Sequence, residues 1–144
     1  MNDLELAKDQ LHQKKLTLVI VKNGDILFET ASHRISGFLG AIDQIGDRLK
    51  GASIADRVVG KAIALLAVYA NIGDVYAEVL SQKAKKVFEE NGINCEWTRM
   101  VDNILDFKRS GVCPFEKTAE EISDPKRAYL TFKSLLKSFM TGKC

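Results

Sequence analysis

The chain is short of the side chains that hold metals and of the spacings that build metal sites. It has two histidines, His12 and His33, and three cysteines, Cys95, Cys113 and Cys144, all far apart. No CxxC pair occurs, so neither a zinc knuckle nor a disulfide framework is written in the spacing. A dominant charge is lacking too. Lysines and arginines number 21 against 19 acidic residues, a net of +2, too small a surplus to predict attraction to nucleic acid or to a membrane surface. No apolar run approaches the ~20 residues of a membrane span. The opening MNDLELAKDQLHQKK is charged and helical rather than a secretory leader. Internal repeats, linkers and low-complexity tracts are absent. The expectation is a cytoplasmic protein with no metal, no cofactor, and neither nucleic acid nor membrane among its partners.

What is present is an ordinary globular mixture, 46% apolar and 28% charged over 144 residues, enough for one domain spanning 1–144 with its own core. Two β-branched apolar runs flank Asn23-Gly24, a pair suited to a two-residue turn, so Leu16–Lys22 and Asp25–Thr30 are predicted to form a β-hairpin. Gly37–Lys50 sets Phe38, Leu39, Ile42, Ile45 and Leu49 at helical spacing. The stretch SIADRVVGKAIALLAVYA is apolar nearly all round and opens with Ser53 and Asp56 in an S-x-x-D arrangement. It is predicted as one buried helix. Asp74–Leu80 and Ile93–Val101 read as strands, separated by a helix over Gln82–Glu90 that stops at Asn91-Gly92. Pro114–Ile122 and Pro125–Met140 read as helices with proline at the first position. A strand–helix–strand passage from Asp74 to Val101 requires a parallel pair, and the hairpin adds an antiparallel edge. The predicted class is α/β, a three-layer α/β/α domain with a mixed sheet.

This order is similar to the cytidine-deaminase-like fold. More closely, DRVVGKAIALLAVYANIGDVYAEVLS, followed downstream by GVCPFEK, resembles a prokaryotic family of that fold that carries a domain of unknown function. In zinc deaminases a His or Cys followed by a catalytic Glu opens the buried helix, and P-C-x-x-C opens the next. The corresponding places here read DRVVGKA and LSQKAKK, with no zinc ligand of the usual kind. The resemblance therefore implies a scaffold and a pocket, not a metal-activated water. It also implies association through helices or sheet edges, hence a homodimer.

Within that pocket the candidate residues are Asp56, Gly60, Lys61, Glu78, Ser81, Cys113 and Glu116. Gly60, read inside a helix, costs ~1 kcal/mol relative to alanine, so either a neighbouring strand or a ligand must approach it closely. Lys61, read on the face of Ile54, Val58 and Leu65, either snorkels to the surface or lines an anion site. Asp56 is expected to cap the helix start, or to contact a ligand. Glu78, on a buried strand, needs a partner, for which Lys61 is the candidate. Ser81 ends a strand where ligands gather in open α/β sheets, and is equally a good helix cap. Cys113 as N-cap, with Pro114 at N1 and Glu116 at N3, would have amides aimed at its sulfur and a carboxylate working against the thiolate. Glu116 is alternatively a capping-box residue bonded back to the cap. Three functions remain open: a metal-free protein binding a nucleotide-like or other anionic small molecule, a cysteine enzyme or redox protein using Cys113, and a structural or regulatory interaction domain with its pocket filled. Lys126 and Arg127 at a helix start, and Trp97 on a strand, are set aside as a solvated pair and as core or interface.

Overall fold

The computed structural model describes residues 2–32, 34–105 and 111–139; His33, Lys108, Arg109, Ser110, Met140 and Cys144 lie outside the described residues. A five-stranded sheet in the order β2-β1-β3-β4-β5 organises the chain. The hairpin β1 (Leu18–Lys22) and β2 (Asp25–Thr30) turns at Asn23 and Gly24, both with positive φ (52° and 81°). The carboxylate of Asp3 accepts both turn amides, from Asn23 at 2.8 Å and Gly24 at 2.9 Å. β1 pairs antiparallel with β3 (Ser53–Val59). β3 pairs parallel with β4 (Asp74–Ser81), and β4 parallel with β5 (Asn94–Val101).

Alternation along the strands sends side chains to two separate cores. Val19, Val21, Ala55 and Tyr76 pack under α1 (Asp3–Gln13) alone. Leu18, Ile20, Ile54, Val75 and Ala77 pack on the other face. That face is covered by α2 (Arg34–Ile45), α3 (Lys61–Tyr69), α4 (Gln82–Glu90), α5 (Pro114–Ala119) and α6 (Pro125–Phe139). The mixed sheet and the three layers are as the sequence predicts. Among the described residues no helix is long and apolar enough to cross a membrane.

One element differs. Ser53–Val59 is not the start of a helix but the central strand of the sheet. A parallel strand covered on both faces loses its alternation and reads as a continuous apolar run, which periodicity alone does not separate from a buried helix. The helix begins only at Lys61, with Gly60 as its N-cap. Three expectations fall with it. Ser53 and Asp56 form no capping box; fully buried Asp56 accepts from the Val58 amide at 3.3 Å within its own strand. Lys61 shares no helix face with Ile54 and Val58. Gly60 lies at a helix boundary, not in a helix interior.

Candidate functional site

Among the described glycines, Gly60 at the N-terminus of α3 has the least room for a side chain. A helix start leaves backbone amides without intrahelical partners, and Gly60 has no side chain to cap them. The partner comes from α5 instead. The Lys61 amide donates to Glu116 Oε1 at 2.8 Å and the Ala62 amide to Oε2 at 2.7 Å. Cys113, Pro114 and Glu116 stand at N-cap, N1 and N3 of α5 as predicted, but Cys113 has no side-chain capping bond. Glu116 reaches across to cap a different helix. Its carboxylate fills the place of a Gly60 side chain: a Cβ there would lie 2.1 Å from Oε1, 2.4 Å from Cδ and 2.7 Å from Ile104 Cγ1. The close approach expected at Gly60 is therefore made by an internal carboxylate, not by a strand. Burial pushes the Glu116 carboxyl above its ordinary range, opposed by the Ala62 and Lys61 amides and by the charges of Lys83 and Lys61. The space left between Val58, Gly60, Ile104 and Cys113 is about 20 Å³, room for about one water.

The Lys61 side chain turns outward. Its ammonium donates to the Glu120 carbonyl at 3.3 Å and lines an open groove of about 510 Å³ between α3, α4 and the end of α5. Lys83 and Lys86 line the same groove, and Lys83 holds the Glu120 carboxylate at 2.9 Å. The hydrogen bond from Lys83, and then its charge, keep the Glu120 carboxyl below the usual carboxylate range. The Lys61 side chain thus runs outward and lines an open groove, not a buried cavity.

Glu78 is elsewhere. Its carboxylate pairs with Arg57 at 2.6 Å, while the same guanidinium donates to the carbonyls of Leu11 at 2.9 Å and Leu16 at 2.8 Å. That network belongs to the α1 side of the sheet, whereas Lys61 is on the opposite side with α4 and α5. A one-residue step along a strand reverses the face, and Glu78 follows Ala77, whose side chain packs in the other core. The predicted Lys61–Glu78 pair does not form. Arg57→Ala should loosen the end of α1 and lower stability by about 1–3 kcal/mol, since two carbonyls lose a charged donor. Glu78→Ala should cost less than about 1 kcal/mol, the pair being partly solvated. Urea unfolding of the two variants measures the difference.

Ser81 is buried, and its hydroxyl accepts from the Ala84 amide at 3.0 Å, capping α4. Cys113 is buried and disulfide-bonded, so it is not a free thiol, although cysteine spacing gave no reason to expect a disulfide. The thiol of Cys95 is pushed up to about 12, first by burial and then by Glu96, with Lys85 opposing; that is the wrong direction for a nucleophile. The structure thus joins Gly60, Lys61 and Glu116, and leaves Asp56 and Glu78 out of the groove lining. Lys83, Lys86 and Glu120 were not singled out by the sequence reading. The i, i+3 spacing of the two lysines on a predicted helix was the available signal.

The deaminase scaffold implies zinc at the starts of α3 and α4. These positions are Gly60-Lys61 and Ser81-Gln82, the Ser81 hydroxyl is committed to its helix, and both Glu116 oxygens are taken by amides. A zinc ion does not fit this donor set. Among the described residues no group of three or more His, Cys, Asp or Glu is placed to hold a metal ion.

The chain is similar to a DUF1893 family protein from Thermotoga maritima, whose crystal structure superposes with a TM-score of 0.84 at 26% identity, over 92% of this chain and 89% of that one. It is also similar in fold to the apo dCMP deaminase of the cyanophage S-TIM5, with a TM-score of 0.50 at 16% identity, over 66% of this chain and 93% of that one. No curated protein matches it. The family model described as a domain of unknown function, DUF1893, matches residues 6–136. On that match, which spans most of the chain, the protein belongs to the DUF1893 family.

Proposed function

We propose that the protein binds a small anionic molecule in the groove between α3, α4 and α5, without zinc-dependent deamination. The observation that carries this reading is the clamp on Glu120. Its carboxylate is held by Lys83, with Lys61 bonded to its carbonyl and Lys86 on the same wall. The chain's own anion marks a place where another can sit. The space beneath Gly60 is a poorer candidate, because an incoming ligand would have to strip a buried carboxylate from two amides. At the groove it replaces only an exposed ion pair, which solvent screens to little net worth. Nucleotide-like molecules qualify through their phosphates.

Inorganic phosphate and AMP are the probes. A ligand bound only by the folded form raises stability by about 2.7 kcal/mol at a hundred times its Kd, so thermal unfolding should move upward with either one. Lys83→Ala should remove the effect. Glu120→Gln should tighten binding by about two- to fivefold, the equivalent of the ion pair no longer competing. Raised salt should weaken binding, as expected for exposed charges. If neither probe shifts unfolding in the native protein or in Glu120→Gln, the reading fails.

A second reading, a regulatory or structural interaction domain that forms a homodimer, is favoured by the side chains filling the deaminase position and by β5, a sheet edge carrying Trp97 at 39% exposure. Sedimentation equilibrium with and without phosphate separates the two.

A further inference from the structure

We infer that the groove is polarised and takes a dipolar small molecule, with a phosphate or carboxylate at one end and an amine at the other, about 10 Å apart. The inference rests on the anion-binding reading and adds the second half of the ligand. Lys83, Val87 and Glu90 all line the groove. At i, i+4 and i+7 they form one stripe of α4. Seven residues at 1.5 Å rise set the ends of that stripe about 10 Å apart. Lys83 stands in the first turn of α4, with Lys61 beside it from α3; Glu90 closes the last turn, with Asn91 as C-cap.

Charge and apolarity change in order along the stripe. The first end has Lys83 and Lys61, joined by the positive pole of the α4 dipole. Val87 and Leu65 make an apolar middle. The far end has the Glu90 carboxylate and the negative pole of the same helix. Asn91 donates its side-chain amide to the Val87 carbonyl at 2.8 Å, which leaves its oxygen as an acceptor. Glu90 forms no salt bridge among the described residues, whereas Glu120 at the first end is held by Lys83. The first carboxylate is therefore already matched by a cation of the chain, and the second is not. Lys86, one turn before Glu90, also lines the groove and makes no salt bridge with that carboxylate. A plain anion uses half of this surface; a molecule with a terminal amine uses both ends.

The test compares hexyl phosphate with 6-aminohexyl phosphate, identical but for an amine about 10 Å from the phosphorus. Binding is measured by calorimetry on the native chain and on Glu90→Gln, a surface substitution whose fold is checked by its melting temperature. The native protein should bind the amine-bearing probe about three- to tenfold more tightly, the range of one partly shielded charge contact. Glu90→Gln should bind the two probes equally, with its affinity for hexyl phosphate unchanged or raised. Equal binding of both probes by the native protein overturns the inference and leaves the anion reading in place. A preference that survives in Glu90→Gln overturns it as well, because the amine is then held elsewhere. Binding of neither probe removes both readings together.

Discussion

Gly60→Ala is expected to lower the stability of the protein by about 3 kcal/mol, near the upper end of overpacking costs. The new methyl carbon would fall 2.1 Å from Glu116 Oε1 and 2.7 Å from Ile104 Cγ1, far inside contact distance. Glu116 can retreat only by leaving the Lys61 and Ala62 amides bare in a buried place, which costs about 1–3 kcal/mol by itself. Backbone strain is not the cause, because φ at Gly60 is −105° and open to any residue. The cause predicts a coupling. Truncating Glu116 to alanine removes the two shortest contacts and leaves a space into which Ile104 can shift from 2.7 Å, so Gly60→Ala should cost less in a Glu116→Ala background. Urea unfolding of the two single variants and the double variant gives that coupling directly. Additive losses would mean that the clash is not with the carboxylate, and the account of Gly60 would fall.

Glu116→Ala alone should cost about 2–4 kcal/mol, since it removes the cap of α3 and opens a void under Ile104. For a domain of this size that is a fall in melting temperature of roughly 6–14 °C. The carboxyl also predicts a pH dependence. Its folded pKa lies above the ordinary 4.5 because it is buried, so the native state keeps the proton to higher pH than the unfolded chain does. A group raised in this way contributes stability that is complete below 4.5 and is lost as pH rises through the folded value. Glu116→Gln stays neutral throughout and lacks that loss. The stability difference between variant and native protein should therefore move in the variant's favour as pH climbs from 4 through the raised value, then level off. Movement in the opposite direction would show that the two amides and Lys83 outweigh desolvation.

Most of the layer order was legible because its signals are local. Asn23-Gly24 fixes a hairpin through φ, Pro114 and Pro125 mark helix starts, and Gln82–Glu90 is bounded by a serine cap and an Asn-Gly stop. Ser53–Val59 was not, for the reason that makes it central: a strand covered on both faces shows no period. Gly60 was the available hint, since a glycine between two apolar runs also suits a break between strand and helix.

The candidate site was half legible. Gly60, Lys61 and Glu116 were chosen for unusual residue types, a glycine read inside a helix, a charge in an apolar run and a carboxylate beside a cap, and such types ask for a partner or a close neighbour wherever the fold puts them. Which of them would meet was another matter. Glu116 lies 56 residues beyond Gly60 in sequence, and no spacing rule joins them. Glu78 fell on the α1 side because pleat parity, set by the register of β4 between β3 and β5, turned it away from Lys61.

By itself the sequence determined the element types wherever a turn, a cap or a proline punctuates the chain, the α/β class, and the lack of a zinc donor set at the two helix starts. Tertiary structure alone decided that a carboxylate from α5 seals the start of α3, that Lys61 opens onto a groove shared with Lys83, and that Arg57 is the partner of Glu78. Local signals are carried by neighbours along the chain. Partners across a sheet or between helices are chosen by register and packing, which no short stretch of residues contains.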